Sequence, residues 1–305
     1  MHQIKPELLA FIRENQKENF VMTPITMREG SSRMAREQEM PKVGVHQIVD
    51  TVMKDCGIYD VPVRIYIPSA AKNLPVLIYY HGGGFVIDTV TVYDPICRRI
   101  AMATNHIVIT PEYRLAPENP YPAAEEDALA VARQALPTLD DLGISHADDV
   151  TVCGDSAGGY LAAVVSAAEQ SAHSVPLTHQ ILVYPCLDMI HTFPSIEENC
   201  RPETGFTKEK LRWYFDQYYG SHADRRAASP LWGSLTAQMP ATLMITAGFC
   251  PFRDEDRAYV QRLQELGVEA ELRHYDGMVH SYLNFEKLCY PEICRTYEDM
   301  ADFLA

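Results

Sequence analysis

The G-D-S-A-G-G run at 154–159 contains a serine whose neighbours suit nucleophilic chemistry. It follows a short apolar segment, 150–153, and opens an alanine-rich stretch with helical character. A sharp strand-to-helix turn exposes the serine hydroxyl, and it needs small residues two positions before and after the serine. The helix N-terminus then directs amide N–H groups at developing negative charge. The pattern predicts Ser156 as a nucleophile, with an ordinary tight turn and a helix-capping serine as the structural alternative.

A second glycine-rich run, H-G-G-G-F at 81–85, comes directly after an apolar segment at 76–80. Consecutive glycines let backbone amides approach a substrate closely. We therefore expect the N–H groups of Gly83 and Gly84, together with that of Ala157, to form an oxyanion hole. A phosphate-binding loop is the rival interpretation, but neither G-x-x-x-x-G-K-[ST] nor G-x-G-x-x-G is present.

One of the eleven histidines, His280, stands in the loop after the last predicted strand. In proteins whose nucleophilic serine stands at a sharp strand-to-helix turn, the catalytic residues follow in the chain order serine, acid, histidine. A general base at position 280 fits that order. The structural alternative is a solvated loop side chain. The position relative to the two glycine-rich runs favours His280 as the base that activates Ser156.

The segments that must position these residues alternate between strand and helix. Strands are expected at 76–80, 106–110, 150–153, 180–184, 241–247 and 268–275, and helices at 93–103, 122–136, 156–170, 208–219, 253–266 and up to about 304. The alternating run 61–67 suits an antiparallel edge strand, and 268–275 suits the exposed edge on the other side. This pattern predicts an α/β fold with a mostly parallel central sheet and helices on both faces.

Composition narrows the possible partners. The 305 residues carry a formal net charge of −15, which repels nucleic acid and anionic lipid surfaces. The eight cysteines show no C-x-x-C pair and no zinc-like spacing, so we expect reduced thiols, no metal site and a cytoplasmic location. No apolar run approaches the roughly 18 residues of a membrane span.

Taken together, the motifs resemble the hormone-sensitive-lipase-like family of α/β-hydrolases, in its bacterial esterase branch. The resemblance covers nearly the whole chain and rests on four runs: H-G-G-G-F at 81–85, E-Y-R-L-A-P-E at 112–118 followed by P-Y-P-A at 120–123, G-D-S-A-G-G at 154–159, and G-M-V-H at 277–280. It implies an α/β-hydrolase core from 43–185 and 237–305. It also implies a small helical cap from residues 1–42 and the insertion 186–236. Hydrolysis of small carboxylic esters without a cofactor and a homodimer are further implications.

The sequence departs from the family at the third member of the triad. Relatives read roughly D-P-L-R-D-E after the seventh core strand, and the first aspartate orients the histidine, whereas this chain has Cys250 there. A nearby carboxylate would have to replace it: Asp254, which equally suits a helix cap, or Asp276, which equally suits a turn. The third account is a dyad of Ser156 and His280 held by water or backbone.

These observations predict a serine carboxylesterase that acts on short to medium acyl esters and has an impaired triad. Amidase activity is a weaker alternative of the same class. A catalytically weak or inactive ligand-binding homologue is the alternative of a different class, since plant gibberellin receptors of the same family have a broken triad. Those receptors lose the histidine, whereas this chain keeps both Ser156 and His280.

Overall fold

A computed structural model describes residues 3–16, 20–54, 56–221 and 223–305. Its centre is an eight-stranded sheet with the strand order β1-β2-β4-β3-β5-β6-β7-β8. The strands are β1 (Gln47–Met53), β2 (Val61–Ile67), β3 (Leu74–Tyr80), β4 (Ile107–Pro111), β5 (His146–Asp155), β6 (Leu177–Val183), β7 (Ala241–Phe249) and β8 (Ala270–Val279). The α/β fold with a mostly parallel central sheet, predicted from the sequence, is confirmed.

The direction of each strand follows its hydrophobic pattern. Strands β1, β2 and β4 pair antiparallel, and the strands from β4 through β3 to β8 pair parallel. The central strands β3 and β5 end in runs of buried residues because helices cover both faces of a parallel sheet. The segment 61–67 is antiparallel, as expected, but it is not the outermost strand, because β1 lies outside it and the two strands together open the sheet. The expectation that β8 forms the other edge is confirmed.

The helices connect these strands in the predicted rhythm. They are α1 (Pro6–Asn15), α2 (Pro24–Gln38), α3 (Val90–Thr104), α4 (Ala123–Asp141), α5 (Ala157–Ala172), α6 (Pro194–Asn199), α7 (Lys208–Tyr219), α8 (Arg253–Glu265) and α9 (Glu286–Phe303), with 3₁₀ turns at Pro202–Thr204, Pro230–Trp232 and Tyr282–Asn284. Helix α4 was expected to end before Pro137. It continues one turn further, because burial of Leu139 in the core offsets the missing backbone donor of the proline.

The cysteines do not form disulfides. Seven of the eight thiols are buried, and Cys294 is partly exposed. Buried free thiols behave as small hydrophobic side chains, so most of the cysteines belong to the packing of the core. No helix within the described residues has the length and the apolar character that crossing a bilayer demands.

Candidate active site

Ser156 stands at the turn between β5 and α5. Its backbone angles, φ 54° and ψ −118°, are strained for a residue with a Cβ. The Ser156 N–H donates to the carbonyl of Val183 in the neighbouring strand at 2.9 Å, which holds the turn against the sheet. Helix α5 begins at the next residue, so the serine lies at the N-terminus of a long buried helix, where the helix dipole favours negative charge.

The glycines on either side of Ser156 are required by close backbone contacts. A Cβ on Gly154 would lie 2.3 Å from the carbonyl oxygen of Gly158. A Cβ on Gly158 would lie 1.9 Å from the carbonyl oxygen of Tyr80. Because these neighbours are backbone atoms of β3 and of the turn itself, they cannot move aside as a flexible side chain could.

Replacing Gly158 with alanine is expected to destabilise the protein by about 3 kcal/mol or to prevent folding, since the added methyl group overpacks the turn. Chemical denaturation followed by circular dichroism measures the effect. The matched control is Gly30→Ala in α2, where nothing lies within 4 Å of the new Cβ and a small stabilisation is expected. A loss below about 1 kcal/mol for Gly158→Ala would show that the turn relaxes.

The structure brings His280 to Ser156. The Ser156 Oγ and His280 Nε2 atoms are 2.9 Å apart, within hydrogen-bond distance. The imidazole is buried and makes edge-to-face contacts with Tyr184, Phe206 and Phe252. Burial lowers the pKa of His280 to about 3, which keeps the ring neutral near pH 7 and able to accept a proton.

Cys250 occupies the other side of the imidazole. Its Sγ lies 3.1 Å from His280 Nδ1 and also accepts the N–H of Phe252 at 3.3 Å. Burial raises the pKa of the Cys250 thiol well above its usual range, and the buried carboxyl groups of Asp256 and Glu255 act in the same direction. The group facing Nδ1 is therefore a neutral thiol.

A neutral thiol controls the imidazole less well than a carboxylate does. A carboxylate only accepts hydrogen bonds, so it keeps the proton on Nδ1 and leaves Nε2 free to accept the serine proton. The Cys250 thiol can also donate to Nδ1, which places the ring proton on Nε2. In that tautomer His280 cannot act as a base toward Ser156.

Neither aspartate suggested by the sequence is brought to His280. Asp254 lies in the first turn of α8, where its carboxylate pairs with the preceding arginine at 2.8 Å and accepts the N–H of Ser195 at 3.1 Å. Asp276 Oδ1 is 3.0 Å from His274 Nε2, on the exposed side of β8. In this geometry Asp254 is not placed to replace the missing acid, which revises the expectation, because its ion pair and its contact with α6 hold it elsewhere.

The glycine-rich loop after β3 lies beside the serine. Gly83 has φ +109° and Gly84 has φ +59°, both in the region that favours glycine. A Cβ on Gly83 would lie 2.2 Å from the carbonyl oxygen of Ile87, and one on Gly84 would lie 2.5 Å from the Tyr214 ring. Within the described residues, the N–H groups of Gly83 and Gly84 donate no hydrogen bond, which leaves them available to an oxyanion.

Asp155 anchors this loop, and the sequence reasoning missed it. Its Oδ1 accepts the N–H of Gly82 and the hydroxyl of Tyr79, both at 2.9 Å. Its Oδ2 accepts the hydroxyl of Tyr93 at 3.0 Å. Burial raises the pKa of Asp155 to about 6. The only sequence signal was an acidic residue within an apolar strand end, directly before the serine.

Ser156 and His280 open into a cavity of about 280 Å³. Gly83 and Gly84 line it, whereas Ala157, the first residue of α5, is not among the lining residues. Its apolar wall includes aromatic and aliphatic side chains from α1, the glycine-rich loop and α7: Phe11, Ile12, Phe85, Tyr214 and Phe215. Helix α1 is held here because the Lys5 N–H donates to the carbonyl of Gly277 at 3.1 Å, close to His280. Across the described ranges, no group of three or more histidine, cysteine or acidic side chains is arranged to hold a metal ion.

Comparisons with known proteins identify relatives and structures that this chain is similar to. A family model described as the α/β-hydrolase fold matches residues 77–284. The carboxylesterase NlhH of Mycobacterium tuberculosis is 34% identical over 234 residues, which is 75% of this chain and 73% of that protein. The ethyl acetate hydrolase of Pseudomonas putida is 33% identical over 74% of this chain and 72% of that protein. A hyperthermophilic esterase from the archaeon Pyrobaculum calidifontis superimposes with a TM-score of 0.89 at 31% identity, covering 99% of this chain and 98% of that one.

Proposed function

This chain belongs to the hormone-sensitive-lipase-like family of the α/β-hydrolase fold, and we propose that it hydrolyses small carboxylic esters through an acyl-enzyme on Ser156. The observation that carries the proposal is the 2.9 Å contact between Ser156 Oγ and His280 Nε2 at the floor of the cavity. The names of the relatives, carboxylesterase and ethyl acetate hydrolase among them, support the same class of reaction.

In the proposed reaction, Ser156 Oγ attacks the ester carbonyl while His280 Nε2 takes the hydroxyl proton. The carbonyl oxygen becomes an oxyanion that accepts hydrogen bonds from the N–H groups of Gly83, Gly84 and Ala157. The imidazolium then returns its proton to the departing alcohol, and the acyl group remains on the serine. A water molecule, deprotonated by the same imidazole, releases the acid and restores the serine.

The proposed rate is low because the imidazole lacks a carboxylate partner. The thiol of Cys250 neither restricts the tautomer of His280 nor stabilises the imidazolium by its charge. The same observation favours the second candidate, a ligand-binding protein with weak or no catalysis. Substitution of Cys250 separates the two.

The size of the cavity supports short to medium acyl chains as substrates. A space of about 280 Å³ lies at the lower end of the range for small-molecule sites. Its walls come from α1 and α7, which supports the proposal that residues 1–42 and the insertion 186–236 form a cap over the core 43–185 and 237–305. The apolar lining suits the hydrocarbon part of an acyl group.

Labelling with an organophosphate tests the proposed function. We expect one phosphoryl group on Ser156, located by peptide mass spectrometry, and no label in a Ser156→Ala variant. We also expect a burst of 4-nitrophenol from 4-nitrophenyl acetate at high enzyme concentration. Absence of both label and turnover in a protein that is shown to be folded would refute the proposal.

A further inference from the structure

Lys210, the third residue of α7, lines the cavity that contains Ser156 and His280. Its Nζ donates to the carbonyl of Gly205 at 3.3 Å and lies 5.6 Å from the centre of the Phe206 ring. Within the part of the chain that the structure describes, it forms no ion pair with a carboxylate. An ammonium group has three donors, so this lysine has unused hydrogen-bonding capacity toward the cavity.

A lysine on the same helix shows the more common arrangement. Lys208 is exposed and forms an ion pair with Glu197 on the outer surface. Lys210 is half-buried instead, and burial lowers its pKa. Its charge also acts in the direction that lowers the pKa of His280, which places the ammonium group within electrostatic reach of the reacting atoms.

Asp88, the carboxyl group among the described lining residues, forms no ion pair with Lys210, although its charge acts to raise the pKa of that lysine. Asp88 is buried and accepts a hydrogen bond from the Ser31 hydroxyl. Burial raises the pKa of Asp88 to about 7, so a large fraction of this carboxyl group is uncharged near neutral pH. The cavity therefore contains an ammonium group that forms no ion pair with a carboxylate of the described residues.

A lysine can also extend its stem along an apolar wall and place its charge in water. That interpretation accounts for the contact with Phe206 but not for the electrostatic effect of the Lys210 charge on His280 and Asp88, which line the same cavity. We propose that the site selects esters that carry a free carboxylate, and that Lys210 binds this carboxylate. The proposal rests on the esterase function proposed above and specifies its class of substrate.

Lys210 is the one ammonium group among the described lining residues, and one positive charge favours a monoanion. A substrate carboxylate can accept two hydrogen bonds from Lys210, and charge-assisted bonds of this kind are stronger than neutral ones. A dianionic group such as a phosphate monoester would bring a second negative charge that one ammonium group does not pair, and an unpaired charge in a small cavity is costly. Half-esters of short dicarboxylic acids combine the one charge with an acyl chain that the apolar walls accommodate.

Two ligands that differ by one charge test the proposal: monomethyl glutarate and dimethyl glutarate. Calorimetric titration into the full chain carrying Ser156→Ala measures binding without hydrolysis. We expect the half-ester to bind about tenfold or more tightly than the diester. Adding Lys210→Met should bring the ratio of the two dissociation constants to about one, and adding Lys210→Arg should restore a preference for the half-ester.

The matched control is Lys208→Met, which removes a charge two residues away and should leave the ratio unchanged. Equal affinities for the two ligands before any lysine is changed would overturn the proposal. An equal loss of affinity for both ligands in Lys210→Met would overturn it as well, because it would indicate a structural role. Binding does not depend on turnover, so the two proposals can fail separately. If Ser156 is not labelled but the half-ester still binds more tightly than the diester, only the esterase function is refuted.

Discussion

Replacing Cys250 with aspartate is expected to raise kcat for a short-chain ester by about 10² to 10³. In serine proteases the loss of the triad acid costs about four orders of magnitude, and the rest of this site is already assembled. The new carboxylate would accept the Nδ1 proton of His280, fix the productive tautomer and stabilise the imidazolium. Steady-state kinetics with 4-nitrophenyl acetate measure the gain.

The matched control is Cys250→Asn, which has the shape of aspartate but no charge, and for which no comparable gain is expected. A flat response to Cys250→Asp in a folded protein would favour the ligand-binding alternative. Some loss of stability accompanies the gain, because the new carboxylate is buried near the carboxyl groups of Asp256 and Glu255. Denaturation curves of both variants separate this effect from catalysis.

The pH profile gives a second test of the same substitution. Catalysis needs the neutral imidazole, so kcat/KM falls as the pH drops through the pKa of His280. With that pKa at about 3, the native protein should show no acidic limb above about pH 4 while it stays folded. The carboxylate of Cys250→Asp favours the imidazolium, raises the pKa of His280 and moves the limb to higher pH. A limb near pH 6 to 7 in the native protein would show that His280 is not desolvated.

Replacing Asp155 with alanine is expected to lower kcat by about 10² or more and the free energy of unfolding by about 3–5 kcal/mol. The change leaves three buried donors without their acceptor: the N–H of Gly82 and the hydroxyls of Tyr79 and Tyr93. The glycine-rich loop would lose the contact that sets its amides beside Ser156. Steady-state kinetics on the purified protein measure kcat, and chemical denaturation measures the free energy of unfolding.

Asp155→Asn provides the control because it keeps an oxygen at the Oδ1 position. That oxygen can still accept from Gly82 and Tyr79, and the new amide group can donate to the hydroxyl of Tyr93. We expect a loss of activity below about tenfold. If the asparagine variant were as impaired as the alanine variant, the charge of Asp155, and not its hydrogen bonds, would position the loop.

The features that could be predicted from the sequence depend on neighbours along the chain. The strand-to-helix rhythm and the glycines around Ser156 are local, and they indicated both the fold and the turn. The position of His280 after the last strand was equally readable. The order of strands in the sheet depends on contacts between distant segments, so the sequence pattern shows that 61–67 is antiparallel but not that β1 lies outside it.

The remaining features depend on which side chains meet in space. Asp254 was a reasonable substitute for the missing acid by sequence distance, but its contact with Ser195 of α6 turns it away. Asp155 accepts a hydrogen bond from a tyrosine of β3, which is far away in the sequence. Lys210 lines a cavity that is formed by several separate segments of the chain. No local pattern distinguishes such residues from ordinary polar positions.

The attachment of α1 beside His280 also has a consequence for the order in which the site assembles. The ammonium group of Lys5 pairs with Glu292, which lies 287 positions further along the chain. Contacts between such distant segments are costly in loop entropy and form late in folding. Because α1 lines the cavity, we expect its docking to enclose the site after the sheet has formed, and its undocking to open one wall of the cavity without unfolding the sheet.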